Sequence, residues 1–315
     1  MPLSGLDDQE FKLIFFGGKG GVGKTSCAVA TAMKLSERYK TLLISTDPAH
    51  SVSDSLEQTI GSKLQNVKGF DSLSAIEIGA DEAFEEFKKQ HQAELEKLFD
   101  TSTGLDNDDI NQLLSLSIPG IDEMMSFKTV MDLIEGHDFE KYVVDTAPTG
   151  HFLRLLSSPK ILDQWIKVAV QLRWKYRYMV TRFSGSYEAD DTDDMLLKLK
   201  KTTKHIDELF RDSRHCEFIP VCIPEAMAVF ETNRLLADLK KSGILVRQFI
   251  INDVMELGTC SFCLRKKESQ QKYLTQIGET YGRHLEITKV PSFPEEIKGF
   301  GQLNALKEVL FGYAG

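Results

Sequence analysis

The stretch GGKGGVGKT at residues 17–25 decides the fold of this chain. Residues 18–25 match the pattern G-x-x-x-x-G-K-[ST], whose glycines let the backbone N–H groups converge on phosphate oxygens. An apolar run precedes the loop, and a helix is predicted to open at Lys24, so the positive end of that helix also faces the phosphates. The pattern therefore predicts a phosphate-binding loop between a strand and a helix.

Phosphate chemistry assigns roles to two side chains of this loop. We expect Lys24 to contact the β- and γ-phosphates of ATP, and the Thr25 hydroxyl to ligate Mg²⁺. The loop residues predicted to bind the nucleotide are Gly18, Gly20, Gly21, Val22, Gly23, Lys24, Thr25 and Ser26. ATP and Mg²⁺ are thus the predicted cofactors of the loop.

Short apolar and β-branched runs alternate with helical stretches along the chain, which is typical of a parallel sheet wound with helices. The predicted strands are 12–16, 41–45, 73–78, 142–145, 217–222, 246–252 and 285–290. Several are apolar on both faces, as expected of central strands covered on both sides. The predicted fold class is α/β, a doubly wound, mostly parallel sheet of the P-loop NTPase type with an inserted α-helical subdomain.

Two long gaps between the strands, at 81–135 and 153–212, read as helices only. We expect them to form the helical subdomain, inserted into one P-loop ATPase domain at 1–315. Apolar residues recur at spacings of three and four across 161–180, which predicts one apolar helix face. The stretch 112–134 carries more Leu, Met and Ile than one helix face needs, and the acidic run EADDTDD at 188–194 predicts a mobile loop.

Loops with Asp, Pro and Gly follow two of the predicted strands, at 45–54 and 145–154. Ligands of open α/β sheets bind at the carboxyl ends of the strands, so both loops are expected to face the nucleotide. Asp145 closes its strand in the position of a Walker B carboxylate, which supports Mg²⁺. Hydrolysis also requires a group that orients the attacking water.

Charge and composition exclude several classes of protein. The 315 residues include 38 Lys and Arg against 47 Asp and Glu, a net charge of −9, which argues against a protein that coats nucleic acid or anionic lipid. No apolar run approaches the roughly 18 residues of a membrane span, and the first residues have no secretory pattern. We expect a soluble, cytoplasmic protein that does not itself span a membrane.

The sequence TCSFCL at 259–264 contains two of the five cysteines, Cys260 and Cys263. Two cysteines provide half of a tetrahedral Zn²⁺ site, and the chain has no second such pair. Two-fold symmetry in a homodimer supplies the other half, because an isologous interface brings the same residues together twice. A reversible redox pair and inert thiols are the alternatives for these cysteines. Cys27, Cys216 and Cys222 are predicted to be buried small residues.

The second lysine of the phosphate loop, Lys19, carries a family resemblance. The form GKGGVGKT resembles the deviant Walker A class, and DPAHSVSD at 47–54 with DTAPTGHFLRLL at 145–156 resembles the arsenical pump-driving ATPase family, in particular its tail-anchored-protein targeting branch. The resemblance implies a homodimer in which Lys19 reaches the partner's nucleotide, and a water-orienting role for Asp54. It implies further switch residues at Asp47, His50, Asp145, Thr149 and Gly150. The alternative for His50 and His151 is that they are satisfied loop residues, which couple rather than catalyse.

The same resemblance extends to the base and the dimer partner. It implies that Asn252 recognises adenine and that Pro291 and Phe293 pack against the base, although an Asn after a strand is also common turn chemistry. Glu225 and Glu231 match family residues that contact the nucleotide across the dimer. Each of these residues lies outside the phosphate loop.

The Leu- and Met-rich helical segments have two interpretations. They line a groove for an apolar client helix, since Met adapts to varied side chains, or they pack on the sheet and on neighbouring helices. The resemblance favours the groove and implies an ATPase that binds transmembrane segments of tail-anchored proteins and delivers them to a membrane receptor. Alternatives are an arsenite- or antimonite-stimulated pump-driving ATPase and a redox-controlled holdase chaperone.

Overall fold

The computed structural model describes residues 2–47, 49, 51–95, 121–136, 138–147, 163, 166–167, 169–171, 173–174, 178, 181–182, 190–256 and 258–312. The chain divides into two compact units. One comprises Met1–Gly79, Leu133–Leu153 and Phe210–Gly315, and the other comprises Ala80–Asp132 and Arg154–Leu209.

The first unit contains a sheet of eight strands in the order β3-β4-β2-β5-β1-β6-β7-β8. The strands are β1 Leu13–Gly17, β2 Thr41–Ser45, β3 Gln65–Asn66, β4 Leu73–Glu77, β5 Lys141–Asp145, β6 Cys216–Cys222, β7 Gln248–Val254 and β8 Glu286–Pro291. All pairs are parallel except β3 with β4. The predicted α/β class with a mostly parallel sheet is confirmed.

Every residue of β1, β2, β4, β5 and β6 is buried, because helices cover both faces of the sheet. The helices of the described residues are α1 Lys24–Leu35, α2 Ser51–Leu56, α3 Ala80–Gln90, α4 Ile121–Glu135, α5 Asp191–Arg211, α6 Ala226–Lys241, α7 Ser261–Tyr281 and α8 Gly299–Phe311. The phosphate-loop helix α1 packs against α8, whose Leu303, Leu306 and Leu310 are fully buried.

The second unit has an apolar cluster of its own. Its buried members are Phe87, Leu95, Met125, Ile166, Ala169, Met195, Leu196 and Leu199. Of the stripe expected at 161–180, Ala169 is buried, while residues 161, 165, 168, 172, 176, 179 and 180 lie outside the described residues. Three apolar residues of the same segment are exposed instead: Val170, Trp174 and Tyr178.

The acidic run at 188–194 does not form the loop expected from its composition. Residues 191–194 form the first turn of α5, while 188 and 189 lie outside the described residues. Asp190 accepts a hydrogen bond from the Thr192 N–H at 3.1 Å, and its own N–H donates to Asp193 at 3.2 Å. Carboxylates at the N-terminus of a helix accept hydrogen bonds from its free N–H groups, and their negative charge interacts favourably with the positive end of the helix dipole. Arg173 pairs with both Asp190 and Asp193. These ion pairs stabilise the start of α5.

Candidate functional site

The sheet brings the ends of β1, β2 and β5 to one edge. Asp145, the last residue of β5, is level with Ser45 of β2 and with Phe16 of β1. Because all three strands are parallel, the loops that follow them start at the same level of the sheet. The phosphate loop, the 45–54 loop and Asp145 therefore converge, as the sequence predicts.

The phosphate loop needs glycine at both of its ends. A Cβ on Gly18 would lie 2.2 Å from the carbonyl oxygen of Val221, which is closer than any side chain allows. Gly23 has φ of 91° and caps α1 without a side-chain hydrogen bond. The first N–H groups of α1 are thus left for a ligand, and no acidic residue stands in its first turn. The loop and helix end fit an anionic phosphate.

Asp145 is the most strongly perturbed carboxylate of this edge. It is fully buried, and one carboxylate oxygen accepts a hydrogen bond from the Thr25 hydroxyl at 2.7 Å. Its second oxygen has no hydrogen-bond partner among the described residues. Burial raises the pKa of Asp145 to about 7, against the opposing effects of Lys24 and the Thr25 hydrogen bond. A buried oxygen without a partner beside a hydroxyl fits Mg²⁺, which prefers hard oxygen ligands.

Lys24 lies next to this carboxylate, as the loop pattern predicts. Its side chain is 4% exposed, and its ammonium group donates a weak hydrogen bond to the Lys19 carbonyl oxygen at 3.4 Å. The Thr25 hydroxyl also bonds to the Ser51 hydroxyl at 3.0 Å. Lys24 and Asp145 are thus buried at the start of α1, and half-buried Thr25 is hydrogen-bonded to Asp145.

Helix α2 carries the predicted water-orienting residue, Asp54, in its first turn. Asp54 is exposed, and it is among the carboxylates that raise the pKa of Lys298, after the larger effect of Glu296. Asp47 is half-buried and accepts the Ala49 N–H at 3.1 Å. The other predicted switch residues, at 50 and 149–151, lie outside the described residues.

A residue that the sequence analysis missed holds α2 in place. Glu77, the last residue of β4, is 4% exposed and accepts the N–H groups of Val52 and Ser53 at 3.1 and 3.0 Å. The Ser53 hydroxyl bonds to the same carboxylate at 3.1 Å. The one signal in the sequence is a Glu at the end of a strand whose other residues are apolar except for Ser74. Glu77 fixes the turn that presents Asp54.

Lys19 and the predicted partner-facing glutamates lie on the surface beside the loop. The Lys19 ammonium is 4.0 Å from the Glu231 carboxylate of the same chain, and about a third of each side chain is exposed. Glu225 is exposed at the start of α6 and makes no side-chain cap hydrogen bond. Two apolar side chains of α6, Met227 and Phe230, are 59% and 67% exposed.

The predicted base-binding residues lie on β7, at the end of β8 and in the loop that follows β8. Asn252 donates a side-chain hydrogen bond to the Val22 carbonyl oxygen at 2.9 Å. A Cβ on Gly23 would lie 2.3 Å from the Asn252 amide nitrogen, so glycine is needed here for this contact as well. Pro291 ends β8, and Phe293 packs on the main core cluster. The structure therefore brings Asn252 against the loop itself.

Cys260 and Cys263 lie at the exposed start of α7. Cys260 caps this helix by accepting the Cys263 N–H at 3.3 Å, and the two sulfur atoms are 3.1 Å apart. The Cys263 N–H is the main cause that lowers the pKa of Cys260. No group of three or more His, Cys, Asp and Glu residues that could hold a metal occurs in the part of the chain that the structure describes. The thiols fit half of a tetrahedral zinc site and no more.

The other three cysteines differ from this pair in burial and in the pKa of their thiols. Cys27, Cys216 and Cys222 are buried, as the sequence predicts. Burial raises the pKa of Cys27 to about 12 and that of Cys222 to about 11, and it raises the pKa of Cys216 further. These thiols are therefore protonated and inaccessible in the folded chain.

The chain matches the family model described as anion-transporting ATPase over residues 11–312. The chain belongs to the anion-transporting ATPase family. The family resemblance predicted from the loop motifs is confirmed, and the chain is an ATPase. ATP is accordingly a ligand of this chain.

Similar members of this family align with nearly the whole chain. An "ATPase get3" from Neurospora crassa is 35% identical over 316 residues, which cover 97% of this chain and 92% of that protein. An "ATPase ASNA1 homolog" from Dictyostelium discoideum is 37% identical over 315 residues, covering 97% and 91%. An "ATPase ASNA1 homolog 1" from Paramecium tetraurelia is 34% identical over 320 residues, covering 97% and 94%.

The length and the apolar character of a helix decide whether it can cross a membrane. Within the described residues, none of the helices combines the length and the apolar character that a membrane span requires.

Proposed function

We propose that this chain is an ATP-hydrolysing, homodimeric targeting factor of the cytoplasm that binds the transmembrane segments of tail-anchored proteins and delivers them to a membrane receptor. The observation that carries the proposal is buried Lys24 beside the Thr25–Asp145 hydrogen bond and the unpartnered Asp145 oxygen, which together fit ATP with Mg²⁺. The relatives named as ATPases support the turnover of ATP. The motif resemblance to the targeting branch supports the client class. We also propose that the second unit is a helical subdomain inserted into one ATPase domain.

Hydrolysis at this site has two requirements, neutralisation of the phosphoryl charge and alignment of a water. Lys24 and the N–H groups of α1 face the phosphates and stabilise the charge that develops on them. Thr25 and Asp145 would hold Mg²⁺, which would supply positive charge to the phosphates when bound. Asp54 orients the attacking water from the first turn of α2, and Glu77 keeps that turn fixed.

The proposed dimer completes the nucleotide site in trans. Lys19 is loosely paired with Glu231 and remains about one-third exposed, so it is free to leave that partner at little cost. We propose that Lys19 reaches the γ-phosphate in the partner subunit, and that Glu225 contacts the nucleotide across the dimer. Exposed Met227 and Phe230 flank this surface and supply apolar area for association.

We propose that Cys260 and Cys263 of two subunits bind one Zn²⁺ on the dimer axis. Both thiols are accessible, their sulfur atoms are 3.1 Å apart, and Phe262 and Leu264 beside them are exposed. Four thiolates from two copies meet the tetrahedral preference of zinc. Metal analysis of purified wild-type protein is expected to give one Zn²⁺ for every two chains. A protein purified without chelator that contains no zinc contradicts the symmetric site.

Exposed apolar residues of the second unit support a client-binding role. Val170, Trp174 and Tyr178 are spaced four residues apart in a helical segment and are 45%, 69% and 60% exposed. Spacing of four places them on one helix face. An apolar client helix of about 20 residues is the kind of ligand that such a face covers.

The Asp54→Asn variant tests turnover and client together. The amide cannot orient water as a carboxylate does, while Lys24, Thr25 and Asp145 are unchanged. We expect ATP affinity within about twofold of wild type and turnover lower by about 100-fold. The variant is also expected to retain clients during purification with ATP, and mass spectrometry should identify them as proteins with one transmembrane segment near the carboxyl terminus.

The control is Glu57→Gln, which removes an exposed carboxylate one helical turn from Asp54. It is expected to hydrolyse ATP at the wild-type rate and to release its clients. Unchanged hydrolysis in the Asp54→Asn variant contradicts the role of Asp54. Retention of proteins without a transmembrane segment contradicts the client class.

A redox-controlled holdase is the second candidate, because Cys260 is exposed and hydrogen bonding lowers its pKa. Client protection that needs an oxidant and no nucleotide favours this candidate over the targeting factor. The pump-driving alternative has a separate test, since it requires that arsenite or antimonite stimulate ATP hydrolysis. We expect no stimulation, because the cysteines other than the exposed pair are buried.

A further inference from the structure

Asp253 has an unusual backbone conformation directly after the predicted adenine-binding residue. Its φ is +56°, and Glu57 is the one other non-glycine residue in the described part of the chain with a positive φ. The pairing of β7 with β8 also shifts register between Ile251 and Val254. Conformations of this kind persist where the surroundings hold them, and they are common at ligand sites.

Two elements, α7 and the loop after β8, hold Asp253 in this conformation. Lys266 of α7 donates to both carboxylate oxygens at 3.0 and 2.9 Å, and the Ser292 hydroxyl donates to one of them. The Asp253 carbonyl oxygen accepts the side-chain amide of Gln270 at 2.8 Å. Gln270 is 3% exposed and also accepts the Met255 N–H at 2.8 Å. These bonds fix the residues that directly follow Asn252 in the chain, Asp253 to Met255.

The bonded elements are those that the base-binding site needs. Asn252 contacts Val22 of the phosphate loop, and Ser292 lies between Pro291 and Phe293. The Ser292 N–H bonds to the Val254 carbonyl oxygen at 2.9 Å. The Asp253 carboxylate therefore ties the end of β7, which carries Asn252, to the loop that carries Phe293.

We propose that Asp253 is a positioning residue for adenine recognition, which holds Asn252 and the 291–293 loop at the separation that an adenine base requires. The inference rests on the proposed function, because it takes the bound nucleotide to be ATP and places the adenine of that ATP against Asn252, Pro291 and Phe293. Asp253 does not touch the phosphates, so its effect falls on base selectivity and affinity rather than on the chemical step.

The experiment compares Asp253→Gly with Asp253→Asn. Glycine adopts positive φ freely and removes the carboxylate without strain, whereas asparagine keeps an oxygen that accepts the Ser292 hydroxyl bond and tolerates the same φ. Binding of fluorescent ATP and GTP analogues and steady-state hydrolysis of both nucleotides are measured for each variant. Asp238→Ala is the matched control, because Asp238 also pairs with a lysine and has a similar exposure.

The Asp253→Gly variant is expected to lose about tenfold in ATP affinity and most of the preference for ATP over GTP. Its kcat for ATP should stay within about twofold of wild type, and Asp253→Asn should recover most of the preference. The control should match wild type. If Asp253→Gly fails to fold, Ser292→Ala is expected to lower the ATP preference by about threefold with the backbone unchanged.

Two outcomes overturn the inference. The first is an Asp253→Gly protein that folds with wild-type affinity and selectivity, and the second is a wild type that binds ATP and GTP equally. The proposed function fails separately. A wild type that prefers ATP but does not hydrolyse it removes the targeting ATPase, while the loss of that preference in Asp253→Gly still supports the positioning role.

Discussion

The phosphate site and the cysteine pair are built in opposite ways. Lys24, Thr25 and Asp145 are buried or hydrogen-bonded to one another, and β1, β5 and α1 fix them. Cys260 and Cys263 lie exposed at the start of a surface helix and contact each other. One site contains its polar partners within the chain, whereas the other has two of the four ligands that zinc takes. In the proposed dimer, each subunit therefore holds Lys24, Thr25 and Asp145 of its own, whereas the proposed zinc site needs two subunits.

The largest expected effect tests the self-contained half of this comparison. Lys24→Met removes the buried ammonium group that faces the phosphates, and ATP turnover should fall by about 1,000-fold. Lys34→Met is the control, because Lys34 lies on the same helix in a surface pair with Glu37. Turnover of the Lys24→Met variant within about threefold of wild type would show that the loop does not bind the transferred phosphate.

The second effect concerns the support of α2. Glu77→Ala removes the acceptor of three hydrogen bonds from Val52 and Ser53, so Asp54 is presented less well. We expect kcat to fall by about 10- to 100-fold with little change in KM. Glu77→Gln keeps one acceptor oxygen and should recover part of the rate. An equal loss of activity in both variants, with KM raised, contradicts a positioning role.

Removing the cysteine pair is expected to affect the dimer strongly and ATP binding by each subunit very little. The double variant Cys260→Ser with Cys263→Ser should lose zinc and weaken dimerisation by about 100-fold, while each chain still binds ATP with wild-type affinity. Ser261→Ala in the same turn is the control. Sedimentation, metal analysis and ATP titration check these three properties. Loss of ATP binding in the double variant would mean that the two regions are not separable.

The smallest expected effect is on the pH dependence of stability, and it concerns Glu217, a second buried carboxylate in addition to Asp145. Burial raises the pKa of Glu217 to about 7, as it does for Asp145, but Glu217 pairs with Arg247 and lies away from the phosphates. A folded pKa above the ordinary 4.5 means that its contribution to stability is lost as pH rises through 7. Between pH 5 and pH 8 the free energy of unfolding should fall by about 2 kcal/mol more in wild type than in Glu217→Gln. Urea unfolding measures it, and an equal fall in both proteins contradicts the shift.

Sequence patterns located the nucleotide site because loop, strand and helix are local features. The seven predicted strands are present, with ends displaced by at most two residues. The pattern missed β3, whose two residues are polar and pair at the edge of the sheet. It also read Asp191–Asp194 as a loop, since composition does not reveal that Arg173 pairs with neighbouring carboxylates at the start of a helix.

The supporting residues of the site were beyond sequence reasoning for a physical reason. Glu77 and Asp253 act through contacts with residues 13 to 39 positions away along the chain. Such contacts depend on which elements meet in the fold, and no spacing rule within one element reports them. The cysteine pair is the reverse case, since the motif is plain in the sequence and the proposed completion of its site lies in a second chain.

Complementation between two inactive variants tests most directly whether a second copy completes each ATP site. Lys19→Ala and Asp54→Asn chains are co-expressed with different tags, and the mixed dimer is purified. In that dimer one site has its own Asp54 and receives Lys19 from the partner, so turnover should be about half that of wild type, with both homodimers nearly inactive. A mixed dimer as inactive as the two homodimers would contradict a shared site and confine Lys19 to its own subunit.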